Sequence, residues 1–279
     1  MNSIYHFFKS LLAEKQRFQE INLLEDFPFD GNLLSCKNAG QFPDMAIKLN
    51  EDNPLFTGGE LIELKDNKGY GVSSFNSTIP TGKKEIAKII KAESGLIRQQ
   101  MMGAGDDIHS LPLREVFYLI RGRKKNQIKV ALVHGSFFET VKSDELISKS
   151  FSQVLEERLQ HTQIEVNQEM KDLLTSIFSE QQSFSKVRNV DKASVKLRFR
   201  VMTEVKAEGN ILNSQKYPEI ADNTLNFIVP CHSEAEEEII LHRMRAVFSK
   251  DEITVLKIFK LKHHFNGFFL VFQTSFGFL

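Results

Sequence analysis

Two short alternating segments joined by a polar turn constrain the fold of this chain more than any other feature. They lie in residues 42 to 66, which read FPDMAIKLNEDNPLFTGGELIELKD. Alternation with a period of two is typical of β-strands, in which successive side chains point to opposite faces. In the first segment one face carries Met45, Ile47 and Leu49 and the other carries Asp44, Ala46 and Lys48. In the second segment one face carries Ile62 and Leu64 and the other carries Leu61, Glu63 and Lys65. If the segments pair as a hairpin across residues 50 to 54, Asp44 approaches Glu63, and Lys65 stands beside them.

Two carboxylates and an ammonium at one place are the minimum for magnesium-assisted cleavage of a phosphodiester. Mg²⁺ takes oxygen ligands and keeps several waters, so two acids can hold it. A neighbouring lysine can favour hydroxide and stabilise the negative charge that develops on the phosphate. The sequence therefore predicts a metal-dependent hydrolytic site formed by Asp44, Glu63 and Lys65.

The pattern is carried by Pro43, Asp44, Glu63, Leu64 and Lys65. It resembles the PD-(D/E)XK nuclease superfamily, which has the fold of most type II restriction endonucleases. The resemblance implies that Asp44, Glu63 and the backbone carbonyl of Leu64 bind Mg²⁺. It also implies that Lys65 orients or deprotonates the attacking water.

Three further acid-x-Lys triplets compete with the one at Glu63. The triplet at Asp66 comes where the strand is ending, and the triplet at Glu169 lies in a helical pattern, in which residues i and i+2 point apart. The triplet at Glu204 ends a plausible strand and is the best competitor, but no Pro-Asp precedes it in strand register. The triplet at Glu63 is therefore the preferred one.

The order of predicted elements also resembles the core of that superfamily. Apolar side chains at helical spacing predict a helix over residues 4 to 24. A short strand at residues 32 to 36, the two alternating strands, a helix from Thr81 or Gly82 to about Gly103, and the strands VFYLIRG and IKVALVHG follow. In many members an acid on the first helix supplies a further metal contact, and the resemblance points to Glu20.

We therefore predict a mixed α+β protein of the α/β type with a restriction-endonuclease-like core, in which helices flank a central mixed sheet. Residues 1 to 140 are expected to form this catalytic core. Residues 141 to 279 are expected to form a C-terminal α+β extension for DNA recognition or dimerisation, unless the whole chain is one continuous domain. In this region the pattern predicts helices over residues 144 to 159 and 166 to 178, a capping box at Ser233, and a hairpin at Asn266-Gly267.

Three segments are candidates for contacting DNA: the polar loop from Lys68 to Lys84, the basic turn from Arg121 to Lys129, and the segment from Lys186 to Arg200. The last of these lies in residues 182 to 206, which hold seven basic residues and two acids. Lysine neutralises phosphates, and arginine can bind guanine through two hydrogen bonds. The alternative without DNA binding is that the polar loop is a flexible surface loop and that the basic residues lie on the solvated face of a sheet. The predicted contacts are Lys68, Asn76, Ser77, Thr78, Lys83, Lys84, Arg121, Arg123, Lys124, Lys125, Lys186, Arg188, Lys196, Arg198 and Arg200.

Composition adds little to this prediction. Among 279 residues, 36 Lys and Arg balance 36 Asp and Glu, so nucleic-acid binding must depend on local basic patches. No signal peptide is expected, and no apolar run approaches the length of a membrane-spanning helix. Cys36 and Cys231 form neither a disulfide framework nor a zinc motif, so a reducing cytoplasm is expected.

Taken together, the resemblance implies a type II deoxyribonuclease that uses Mg²⁺ to cut double-stranded DNA at a short palindrome, acting as a homodimer. A DNA methyltransferase is expected from a neighbouring gene and not as a subunit. One alternative is a structure-specific repair nuclease or junction resolvase of the same superfamily. Another is a non-catalytic nucleic-acid-binding protein whose acids lie on a solvated sheet face. The sequence has no GxSxG elbow or phosphate loop.

Overall fold

The computed structural model describes residues 2–37, 42–48, 59–72, 75–76, 79–89, 99, 112–162, 165–179, 187–188, 191–192, 194, 197–198 and 202–277. The predicted turn at residues 50 to 54 lies outside these ranges. The chain divides into two compact units. The first comprises Met1–Ser73, Gly82–Phe138 and Val205–Leu279, and the second comprises Ser74–Thr81 and Glu139–Glu204.

A mixed sheet is the centre of the first unit. Its strands are β1 (Leu34–Lys37), β2 (Met45–Ile47), β3 (Leu61–Lys68), β5 (Lys83–Glu85), β6 (Leu113–Lys124), β7 (Gln127–His134), β11 (Thr224–Pro230), β12 (Lys257–His263) and β13 (Gly267–Ser275). Along the sheet they lie in the order β1-β2-β3-β6-β7-β11-β13-β12, and β5 pairs with β6. The predicted mixed α+β fold with a central mixed sheet is confirmed.

Seven α-helices are present among the described residues. They are α1 (Ser3–Ala13), α2 (Arg17–Glu20), α3 (Ile86–Ile89), α4 (Ser143–Thr162), α5 (Gln168–Ser179), α6 (Glu234–Val247) and α7 (Lys250–Thr254). Strands β1, β2 and β3 form an antiparallel meander, and β6 pairs with β3 in parallel. A parallel pair needs a long crossover, and this crossover contains β5 and α3. Helix α1, strands β1 to β3, helix α3 and strand β6 follow one another in the predicted order, but β5 is an additional strand before α3. Beyond Ile89, the helix predicted to reach about Gly103 lies outside the described residues apart from Gln99.

One face of the sheet packs against α1 and α6. Helix α1 buries Ile4, Phe7, Phe8 and Leu11, whose spacing places them on one side of the helix. The Phe8 ring stacks on Phe227 of β11 with 4.9 Å between centroids. Burying each large apolar side chain contributes roughly 2 kcal/mol to folding. This face forms one continuous hydrophobic core, which draws on the sheet from β2 to β13.

The C-terminal strands complete this sheet and do not form a separate extension. Strand β11 pairs in parallel with β7, so that Phe227 lies opposite Leu132, and β13 and β12 continue the sheet in antiparallel pairs. Leu132 and Phe227 belong to the same core. The expected division at residues 140 and 141 is therefore corrected: the segment that separates from the first unit is residues 139 to 204, together with 74 to 81.

Local signals in the sequence gave mixed results. The Ser233 hydroxyl accepts the Glu236 backbone N–H at the start of α6, but the Glu236 carboxylate accepts from the His232 N–H, so only half of the predicted capping box is present. The predicted hairpin at Asn266-Gly267 joins β12 to β13, with Gly267 at φ 70°. Residues 83 to 85, however, form a strand on β6 and not the first turn of a helix. The predicted first helix is also interrupted, because the chain turns at residues 14 to 16, between α1 and α2.

The second unit contains α4 and α5, which pack against each other and confirm the two predicted helices. It also contains β4 (Phe75–Asn76), β8 (Val187–Arg188), β9 (Leu197–Arg198) and β10 (Met202–Thr203). Strand β4 pairs with β10, and β8 pairs with β9, both antiparallel. No helix in the described part of the chain is long and apolar enough to cross a membrane.

Candidate active site

The pairing of β2 with β3 brings the two predicted acids together. Met45 lies opposite Ile62 and Ala46 opposite Leu61, so continuing the register by one residue places Asp44 opposite Glu63. The Leu64 backbone N–H donates a hydrogen bond of 2.8 Å to Asp44 Oδ2 and fixes that carboxylate against β3. The predicted approach of Asp44 to Glu63 is thus present in the structure.

A glycine at the entry to β3 permits this close approach. A Cβ added to Gly59 would lie 2.0 Å from the carbonyl oxygen of Ile47, which is far inside contact distance. The Ile47 N–H also donates to the carbonyl oxygen of Glu60 at 2.9 Å. The close approach of Ile47 therefore requires glycine at position 59, the second residue of the Gly58-Gly59 pair that precedes β3 in the sequence.

Lys65 completes the predicted group. Its Nζ donates to Glu63 Oε1 at 2.9 Å, so the two side chains share one face of β3. Asp44 and Glu63 are each only 8% exposed. Burial raises the pKa of Glu63, the Lys65 ammonium opposes this shift, and the neighbouring Asp44 carboxylate raises the pKa further. Glu63 Oε2 is buried and has no hydrogen-bond partner among the described residues.

Two residues that the sequence did not connect with the acids also lie near them. Lys84 of β5 carries a positive charge close enough to lower the pKa of Glu63. Its Nζ lies 4.1 Å from the centroid of the Phe42 ring, two residues before Asp44. Tyr118 of β6 lies directly opposite Glu63 in the parallel pair of strands, and its side chain is fully buried.

Arg121 has a structural role, and its prediction as a DNA contact is corrected. Its side chain is 0% exposed and lies on the opposite face of the sheet from Glu63. All five guanidinium N–H groups are used: Nε and Nη2 donate to Asp66, and the other bonds go to the backbone carbonyls of Phe18, Ile21 and Asn22. A side chain so enclosed cannot reach DNA without local unfolding.

Glu20 is not brought to the acid pair. Its carboxylate binds Arg17 at 2.7 Å on the exposed side of α2. The carbonyls at the end of α2 bind Arg121, which pairs with Asp66 on the same face as Ile62 and Leu64. Glu63 projects from the other face of β3, so the sheet separates Glu20 from it. The predicted metal contact from Glu20 is therefore not supported.

The predicted DNA contacts fall into separate groups. Exposed Lys68 at the end of β3 pairs in register with Arg123 of β6, and the exposed Lys124 and Lys125 follow at the β6–β7 turn. Four cations thus gather at that end of the sheet, about 17 Å from Glu63 at the usual rise per strand residue. Lys83 binds Glu115 at 2.8 Å.

The remaining predicted contacts belong to the second unit. Asn76, Arg188 and Arg198 lie in β4, β8 and β9, and their backbones alone are described. Ser77, Thr78, Lys186, Lys196 and Arg200 lie outside the described residues. Their contact with DNA stays a prediction from sequence.

A second polar chain, which the sequence did not reveal, links β5, β6 and β7. His134 Nε2 lies 2.7 Å from Glu115 Oε2, and His134 Nδ1 lies 2.7 Å from the hydroxyl of Ser136. Glu115 also binds Lys83, and these contacts outweigh burial and lower the pKa of Glu115. His134 is 19 residues from Glu115 in the chain, so no local spacing could have indicated the pair. These hydrogen-bonded side chains hold β5 beside β6.

The type and the number of the carboxylate ligands at Asp44 and Glu63 fit Mg²⁺. Within the ranges that the structure describes, no group of three or more His, Cys, Asp and Glu side chains could share a metal. Two carboxylates are present, however, and Mg²⁺ commonly takes one or two and completes its shell with water. Glu63 Oε2, which accepts no hydrogen bond from any described residue, is a buried oxygen that could bind a cation. The Leu64 carbonyl as a ligand stays a prediction.

Comparison of the chain with protein-family models, curated proteins and solved structures found no match. The assignment of this site therefore depends on its own geometry and on the sequence pattern at Asp44, Glu63 and Lys65.

Proposed function

We propose that this protein is a Mg²⁺-dependent endodeoxyribonuclease that hydrolyses phosphodiester bonds in double-stranded DNA. The observation that carries the proposal is the buried pair Asp44 and Glu63, joined across β2 and β3, with Lys65 bound to one Glu63 oxygen and the other oxygen unpartnered among the described residues. A buried carboxylate oxygen without a partner is costly for folding. A bound cation would remove that cost, and the same group would then act on a phosphate.

Each residue has a role in the proposed reaction. Asp44, oriented by the Leu64 N–H, and Glu63 would hold the ion. Bound Mg²⁺ would neutralise the scissile phosphate and lower the pKa of a coordinated water. Lys65 is bound to Glu63, where its ammonium would orient the attacking water and stabilise negative charge on the phosphate. The closed packing around Asp44 and Glu63 holds these groups in fixed positions before the substrate arrives.

The test compares four purified proteins on a long linear DNA with and without Mg²⁺. Wild-type protein is expected to cut the DNA when Mg²⁺ is present, and Asp44→Ala and Lys65→Met are expected to abolish cutting while keeping the wild-type circular dichroism spectrum. The matched control is Glu169→Gln, which alters an acid-x-Lys triplet on α5 and is expected to cut normally. If Asp44→Ala cuts as fast as wild type, the proposed site is wrong.

The products distinguish the possible functions. Discrete fragments of a duplex support a type II site-specific enzyme, which is the form of the proposal that we favour from the sequence resemblance. Nicking that depends on a branched or damaged structure supports a repair nuclease or junction resolvase. Intact DNA bound without cleavage supports a non-catalytic binding protein.

We further propose that the enzyme acts as a homodimer, since a twofold axis matches a palindrome and supplies one site for each strand. Size-exclusion chromatography with light scattering tests this: a mass near twice 32.0 kDa is expected, and a monomer bound to cleavable DNA argues against it. A cytoplasmic location and a methyltransferase encoded nearby belong to the same proposal.

A further inference from the structure

A second cation stands beside the acid pair, on a different strand from Lys65. Lys84 is the central residue of β5 and lies opposite Arg114 of β6. Two residues further along β6, Val116 pairs with Leu61, where β3 begins. Strand β5 therefore brings Lys84 to the end of the sheet at which Asp44 and Glu63 are located.

The contacts of Lys84 fix its direction. Its half-buried side chain places Nζ 4.1 Å from the centroid of the Phe42 ring, and Phe42 lies two residues before Asp44. A cation over an aromatic ring is stabilised, more so when it is partly desolvated. The adjacent Lys83 pairs with Glu115 instead, as expected for neighbouring residues of a strand, which point to opposite faces. Lys84 is thus directed toward the segment that carries the first acid.

Among the described residues, the charged groups that act on Glu63 are Asp44, Lys65 and Lys84, and with both acids ionised the four charges sum to zero in the absence of a metal. Asp44 and Glu63 contribute two negative charges, and Lys65 and Lys84 contribute two positive charges. A divalent cation held by the acids would leave two net positive charges at the site. A phosphodiester carries one negative charge, so it would then meet a site of opposite sign. Lys65 is hydrogen-bonded to Glu63, and the Nζ of Lys84 lies over the Phe42 ring.

We propose that Lys84 is a phosphate-binding residue of this site, which binds the non-bridging oxygens of the substrate phosphodiester beside Asp44 and Glu63. The inference rests on the proposed function and adds to it the group that holds the anionic substrate. Lys84 has two opposite effects in this arrangement. It attracts the phosphate, and it repels the divalent cation that the acids hold.

The test uses these opposite effects. Lys84→Met is expected to bind Mg²⁺ about three- to tenfold more tightly by titration calorimetry, since a like charge near the ion is removed. In a Lys65→Met background, which is expected to stop cleavage, adding Lys84→Met is expected to weaken duplex binding in Mg²⁺ and to reduce the slope of log K against log salt by about one. A residue with a purely structural role would weaken both kinds of binding.

Two further variants complete the experiment. Lys84→Arg keeps the charge and is expected to stay close to wild type in Mg²⁺ affinity and salt slope. Lys83→Met is the matched control on the same strand, and its Mg²⁺ affinity is expected to be unchanged. If Lys84→Met fails to fold, as judged by circular dichroism, Lys84→Gln removes the charge with a smaller change in polarity, and the same outcomes apply.

The two proposals fail in different ways. If wild-type protein and Asp44→Ala give the same Mg²⁺ isotherm, the metal site and the proposed function are wrong. If Asp44→Ala loses Mg²⁺ binding, but Lys84→Met matches wild type in both Mg²⁺ affinity and salt slope, the role of Lys84 alone is overturned.

Discussion

Replacing Arg121 with lysine keeps the positive charge and should still destabilise the protein strongly. The guanidinium is fully buried and donates five hydrogen bonds, two to Asp66 and three to the carbonyls of Phe18, Ile21 and Asn22. Lysine has three donors on one nitrogen and cannot reproduce the planar arrangement. At least two of the acceptors therefore lose an N–H partner.

The size of the effect follows from these contacts. Hydrogen bonds to charged groups contribute about 1.5–3 kcal/mol each, so two lost bonds amount to roughly 3 kcal/mol or more. Because typical domains unfold with a free energy of about 5–15 kcal/mol, Arg121→Lys is expected to remove a large part of the stability.

Urea unfolding at pH 7, followed by circular dichroism, measures this change. The matched control is Arg123→Lys: the Arg123 side chain is 35% exposed and lies 3.5 Å from the same Asp66, so its replacement is expected to cost under about 1 kcal/mol. If Arg121→Lys unfolds within about 1 kcal/mol of wild type, the structural role is refuted. A stable Arg121→Lys protein that loses DNA binding would restore the role suggested by the sequence.

Three other substitutions test separate parts of the structure. Glu63→Gln is expected to stabilise the metal-free protein by about 1–2 kcal/mol at pH 7, because it removes a buried carboxylate of which one oxygen has no hydrogen-bond partner in the described part of the chain. The pKa of Glu63 in the folded protein is raised above its ordinary 4.5, so the wild-type free energy of unfolding falls as the pH rises above 4.5. The stability that Glu63→Gln gains over wild type in urea unfolding should therefore shrink toward zero at pH 4. A gain that is the same at pH 4 and pH 7 would contradict this cause. Glu20→Gln should leave the cleavage rate within twofold of wild type, and a large loss would revive its predicted metal contact. Ser249→Ala should lower the free energy of unfolding by about 1 kcal/mol in thermal or urea unfolding, because it removes the capping box with Glu252. An unchanged free energy of unfolding would show that this capping box does not stabilise the protein.

The core topology and the acid pair could be predicted because both depend on local patterns. Alternation identifies β2 and β3 separately, and consecutive strands usually pair with each other. Once Met45 and Ile62 must both face the core, the antiparallel register follows, and it sets Asp44 beside Glu63. A shift of one residue would expose the whole apolar face, so burial selects this register.

The remaining features depend on contacts between distant parts of the chain. Strand β11 joins β7 in parallel about 95 residues after it, and no pattern within β11 indicates which strand edge it completes. The basic turn in which Arg121 occurs looks suitable for DNA. The partners of Arg121 lie 55 and about 100 residues away, so its burial follows from tertiary packing alone. The sequence similarly predicts that Lys84 lies where a polar loop passes into a helix, because the three residues of β5 carry too little alternation to identify a strand.

Two acid–cation pairs on β3 and its neighbour separate structural from functional charge. Asp66 and Arg121 lie on the core face, and every donor of the arginine has an acceptor. Glu63 and Lys65 lie on the other face, and Glu63 retains an oxygen without a partner among the described residues. In sequence both Glu63 and Asp66 begin an acid-x-Lys triplet and are indistinguishable by composition. Their hydrogen bonding distinguishes them: a fully satisfied pair has no capacity left for a ligand, whereas a buried carboxylate with an unused acceptor is stabilised by the arrival of a cation. That difference supports the proposal that Glu63, and not Asp66, binds the cation.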